Sequence, residues 1–183
     1  MKQIQPYPVA VALSFIFLIY YFTCVVIHLL LADTTWEMYR WLEMILVQFT
    51  WLTPLSFILG IIEVIIGGFY IAYTLVPLYN FYDKYFSSTK GDETMKPLRF
   101  KPVAFTIISF GIITYTLCVI SNLIFPQWGM YRLWEIFLPG FSWISWGSYF
   151  IGLIGLIGYG IYIAAIFVPV YNYFGKGKYP EFK

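Results

Sequence analysis

Apolar positions gather into four long runs along this chain, and polar positions gather between them. The runs cover residues 8–31, 51–78, 102–125 and 143–170. A helix needs about 20 residues to cross the hydrocarbon core of a bilayer. None of the runs alternates as a membrane β-strand would. Lipid offers open backbone no hydrogen-bond partner, so one helix per run is the expected structure. The pattern predicts an all-α membrane protein with four transmembrane helices.

The pattern is also written twice. WEMYRWLE, from Trp36, returns as WGMYRLWE, from Trp128, and VPLYNF, from Val76, returns as VPVYNY, from Val168. Both pairs are 92 positions apart, and residues 36–81 align without a gap. The first helices align 94 positions apart, pairing Pro8 with Pro102 and Cys24 with Cys118. The expected organisation is a first two-helix repeat at 1–86, a linker at 87–99 and a second two-helix repeat at 100–183. Two crossings per repeat give both hairpins the same orientation, related by a pseudo-twofold axis along the membrane normal.

Charge sets the expected direction. Lys2, Lys84, Lys90, Lys96, Arg99, Lys101, Lys176, Lys178 and Lys183 lie in the N-terminal segment, the central loop and the tail. The opposite loops carry only Arg40 and Arg132. The positive-inside rule places both termini in the cytoplasm. The first apolar run is too long for a signal-peptide core and no small-x-small site follows it, so it reads as a retained anchor. In each external segment, helical periodicity and aromatic anchors suggest a short amphipathic helix on the outer surface. An ordered turn is the other reading. Arg40 with Glu43, and Arg132 with Glu135, are spaced for ion pairs at the membrane surface.

Composition agrees. The chain has 183 residues, of which 61% are hydrophobic and 11% charged, against about a quarter charged in soluble domains. A net charge of +2 without a basic run excludes a nucleic-acid partner. Two cysteines in apolar runs do not make a disulfide framework.

Small residues mark where helices can approach closely. They fall in matched places: Ser56, Gly60, Gly67, Gly68 and Ala72 in the second run, and Ser148, Gly152, Gly160 and Ala164 in the fourth. The second and fourth helices are expected to meet along these stripes, or to present them to another protein. A Val-Pro step near the inner end of each of these helices favours a bend.

Three residues carry candidate chemistry. Glu63 is the one carboxylate deep in an apolar run, and its counterpart is Gly155. A carboxylate at that depth must be paired or protonated. It reads either as a proton, cation or partner site, or as a protonated acid bonded to a carbonyl or to Tyr20, Tyr21 or Thr23. Cys24 and His28 share a face, one turn apart, and could hold a soft metal. His28 could also meet a haem or pigment supplied by a neighbouring subunit. This chain alone is expected to bind no cofactor other than lipids. No nucleophile elbow, phosphate loop, dinucleotide fingerprint or zinc motif is present, so no enzyme is expected.

GIIEVIIGGFYIAYTLVPLYNF and GLIGLIGYGIYIAAIFVPVYNY resemble a family of small bacterial integral membrane proteins of unknown function, sometimes labelled bacteriophage-holin-like. Glu63, Gly67, Gly68, Tyr79 and Asn80 fit its pattern of an acidic residue, a Gly-rich second helix and an aromatic-Tyr-Asn-like end. The resemblance implies a bacterial cytoplasmic membrane protein built on a two-helix unit, here in tandem, with Gly155 departing from the pattern. The expected role is an accessory or scaffold subunit of a larger membrane complex, with integral membrane subunits or further copies as partners. The rival expectation is a small channel, transporter or holin-like pore that uses Glu63.

Overall fold

The computed structural model describes residues 3–30, 42–43, 45–46, 49–51, 53–86, 98–129, 131–143 and 145–175, without the side chains of His28 and Phe174. Among them are α1 (Pro6–Leu30), α2 (Pro54–Phe86), α3 (Phe100–Ile124), α4 (Tyr131–Phe137) and α5 (Trp146–Gly175). A single 3-10 turn, Pro126–Trp128, follows α3. No strand occurs among the described residues. α1, α2, α3 and α5 are each long and apolar enough to cross a membrane. The protein is an all-α membrane protein with four candidate spans.

Two spans outrun their apolar segments. α2 has 33 residues, or about 50 Å at the helical rise, and it continues past Leu78 through YNFYDKYF. Pro77 and Pro169 sit inside continuous helices. Each forgoes one backbone hydrogen bond there without ending its helix.

The described packing runs in chain order: α1 on α2, α2 on α3, and α3 on α5. No comparable packing joins α1 to α5 among the described residues. The four spans therefore form an open row. Only 22–28% of the most apolar stretch of each span is buried against the rest of the chain, so most of each helix surface lies outside the chain's own packing.

The expected meeting of the second and fourth helices is not what holds the row. The small residues of α2 pack on α1, and those of α5 pack on α3. A Cβ added at Gly60 would lie 2.7 Å from the Tyr21 hydroxyl, and one at Gly152 would lie 2.5 Å from the Tyr115 hydroxyl. At Gly68 it would strike Ser14, and at Gly160 it would strike Ile108. Ser56, Ala72, Ser148 and Ala164 are buried beside them. The reason is steric. Each glycine makes room for a residue of its own hairpin partner, and four-residue steps keep these notches on one face. Gly67 is off this seam, because a Cβ there would meet nothing within 4 Å.

Candidate functional site

Two apolar clusters hold the hairpins together near their loop ends. In the first, Tyr21, Cys24, Val25, Leu42, Leu46 and Phe49 are buried, with Trp51, Phe57, Ile61 and Val64 packed around them. In the second, Tyr115, Val119, Leu138, Phe141 and Leu156 are buried, with Trp134, Trp143, Tyr149 and Leu153 around them. The members correspond one for one at the 92- and 94-residue offsets, apart from Cys24, whose counterpart Cys118 is half-buried. Tyr21 donates to the Phe57 carbonyl at 3.1 Å and Tyr115 to the Tyr149 carbonyl at 3.4 Å. A buried phenol in lipid must find such an acceptor.

The polar anchors repeat as well. The Trp51 amide donates to Glu43 Oε1, and the Trp143 amide to Glu135 Oε1, both at 3.1 Å. This corrects the expected surface pair of Arg132 with Glu135. No ion pair joins them among the described residues, because the carboxylate turns back to accept from the chain entering α5. Backbone amides at such turns have no helical partner of their own. Arg40 lies outside the described residues. α4 forms where a short helix was expected after the third span; its equivalent at the 92-residue offset, residues 39–45, is described only at 42, 43 and 45, which are helical.

At the other end, the side-chain amide of Asn80 closes a two-bond clamp on Ile4. Its Oδ1 accepts from the Ile4 amide at 3.3 Å and its Nδ2 donates to the Ile4 carbonyl at 2.8 Å. Asn172 does the same to Leu98, at 2.8 and 2.9 Å. Only a carboxamide presents donor and acceptor side by side in this way. Asn80→Ala should remove both bonds, at about 1 kcal/mol each. Hydrogen exchange of the Ile4 amide should then accelerate while Leu98 keeps its protection. Equal acceleration at both sites would contradict independent clamps. Beside the first clamp, a cleft of about 710 Å³ is lined by Gln3, Gln5, Pro77, Asn80, Phe81 and Lys84.

Glu63 is the tenth residue of α2, about 15 Å from its start and so near mid-membrane. It is half-buried and lies within electrostatic reach of Tyr21. Thr23 bonds back to the Ile19 carbonyl at 2.7 Å instead. In the second hairpin, Gly155 occupies the equivalent place, and a Cβ there would meet Leu138 at 3.1 Å. Glu63 thus marks a polar difference between the two seams, as does Ser14, whose counterpart is Ile108. Cys24 is sealed in the first cluster. The His28 side chain lies outside the described residues, so its pairing with Cys24 is not described. No group of three metal-ligating residues occurs among the described residues. Asn122, the counterpart of His28, is buried and donates to the Cys118 carbonyl at 2.9 Å.

The two hairpins meet through α2 and α3. The Tyr70 hydroxyl lies 2.9 Å from Thr114 Oγ1, and the Tyr82 hydroxyl 2.7 Å from Ser109 Oγ. Arg99 donates to Asp83 Oδ1 at 2.8 Å and to the Asp83 and Phe86 carbonyls at 3.0 and 2.9 Å. It thereby caps the last turn of α2, where free carbonyls collect negative charge. This junction was not read from the sequence. Its signal was there in the hydroxyl residues on the third run, which an inter-helix partner can satisfy in lipid. No family model, curated protein or solved structure matches this chain.

Proposed function

We propose that this chain is a non-enzymatic integral membrane subunit, an accessory or scaffold component of a larger complex in the bacterial cytoplasmic membrane. The observation that carries this reading is the open row of four spans. Tight seams fix each hairpin internally, while broad apolar faces stay available to neighbours. Such a row lends surface rather than a reaction chamber. The charge distribution supports cytoplasmic termini, and the matched clusters, clamps and glycine notches support a tandem duplication of the two-helix unit. An energy-transducing complex is the first host class to test. Native gel electrophoresis of gently solubilised membranes should place the chain in an assembly with other subunits. A lone 21.4 kDa species would overturn the proposal.

Glu63 favours a second reading, a small self-assembled pore or transporter. A half-buried carboxylate at mid-depth beside Tyr21 is the residue type that ion and proton paths use. Liposomes holding the purified chain decide between the two. A proton or cation flux that Glu63→Gln abolishes supports the pore and removes the scaffold reading. Absent flux, or flux unchanged by Glu63→Gln, removes the pore.

A further inference from the structure

We infer that the chain assembles head to tail with further copies of itself, the outer face of α5 seating on the outer face of α1 of the next chain. The inference does not depend on the proposed function. It rests on the internal junction between α2 and α3, and on what the repeat places at the two ends of the row.

The α2–α3 junction is heterologous, since one surface of the first hairpin meets a different surface of the second. Each hairpin carries both kinds of surface. The row uses one of each internally, which leaves one of each at its ends. On α1, the counterparts of Phe105, Ser109, Phe110 and Thr114 are Val11, Phe15, Ile16 and Tyr20. These are 45–64% exposed. On α5, the counterparts of Tyr70 and Tyr79 are Tyr162 and Tyr171, 63% and 47% exposed, whereas Tyr70 and Tyr79 are both half-buried. A heterologous contact repeats from copy to copy, closing a ring where the rotation allows it and continuing as an open row where it does not.

The occupant is a second copy because the residues change in matched pairs. Three polar side-chain contacts cross the internal junction, alongside the ring contacts of Phe110 with Tyr70 and of Phe105 with Tyr82 and Phe86, and each polar pair has a counterpart pair on α5 and the next α1. Tyr70 and Thr114 share a hydroxyl contact, and their counterparts Tyr162 and Tyr20 both carry hydroxyls. Tyr82 and Ser109 also share one, and in sequence their counterparts Phe174 and Phe15 both lack it. Asp83 and Arg99 form an ion pair, and their counterparts Gly175 and Gln5 are both uncharged. A lone hydroxyl or charge opposite an apolar face would weaken such a contact, and none of the three pairs has that mismatch.

The test uses two differently tagged chains, each with Cys24→Ala and Cys118→Ala, one with Tyr20→Cys and the other with Tyr162→Cys. They are expressed singly or together and treated in native membranes with a short bis-maleimide. Co-expression should give a covalent dimer bearing both tags, and either chain alone should give none. In parallel, the wild-type chain extracted with its own lipid should have a mass that is a multiple of 21.4 kDa. Cross-linking of the Tyr162→Cys chain to itself would mean a like-with-like contact and overturn the inference. So would an uncross-linked mixture together with a wild-type chain that is monomeric or bound only to a different protein.

Discussion

Gly68→Leu should unfold the first hairpin, and Gly67→Leu, one residue away, should leave it intact. At Gly68 an added Cβ would lie 2.6 Å from the Ser14 amide nitrogen and 2.8 Å from its Cα. Those are backbone atoms and cannot rotate aside, so α1 and α2 must part. The Ser14 hydroxyl, which reaches the Ile65 carbonyl at 3.0 Å, would lose its acceptor as they do. Overpacking a tight seam costs about 3 kcal/mol, and losing the hydrogen bond adds about 1 kcal/mol. Gly67 and Gly158 face open space, so leucine there should change stability by about 0.5 kcal/mol or less. Unfolding in a detergent-to-SDS titration, followed by tryptophan fluorescence, would show the contrast. Equal midpoints for the Gly67 and Gly68 variants would mean that α1 and α2 do not touch where described.

Tyr21→Ala and Tyr115→Ala should be nearly equal in cost, because each residue plays the same part in its own hairpin. Both rings are fully buried. Tyr21 lies against Phe49 and Phe57, and Tyr115 against Trp134, Phe141 and Tyr149. Each ring also fills the notch left by a glycine on the facing helix. Removing it leaves a cavity no neighbour can fill, at about 3–5 kcal/mol. The phenylalanine variants keep the ring and lose only the bond to the facing carbonyl, at about 1 kcal/mol. The same SDS titration, run on all four, reads both steps. A large loss at one site only would break the equivalence of the two hairpins.

The sequence carried the four spans plainly, since hydropathy reports what lipid will accept. It was silent on how far the helices continue beyond lipid, and α2 runs on from Leu78 to Phe86 through aromatic and charged residues. Spacing exposed the notches at Gly60, Gly68, Gly152 and Gly160 but not their occupants. A glycine says that something comes close, while the side chains that come close, Tyr21 and Ser14, carry no periodic signal. The role of Glu135 escaped for a related reason. Its separation from Arg132 suits a helix-surface pair, whereas the amide it accepts from lies eight residues on, beyond the end of α4. Asn80 and Asn172 were visible as part of a repeated motif, yet nothing local reveals that a carboxamide will clasp the start of the preceding span. Among the residues singled out from the sequence, Glu63 lies ten residues into α2, half-buried and within electrostatic reach of Tyr21.

The two asparagine clamps bear on how the chain is made. Ile4 leaves the ribosome well before Asn80, which emerges only when nearly all of the first hairpin has been synthesised. A nascent chain halted inside α2 therefore has no means of fastening its own beginning. Leu98 and Asn172 impose the same condition on the second hairpin. Each clamp closes as a record that its hairpin is complete, so a truncated product leaves a loose amino-terminal strand for a membrane protease to seize.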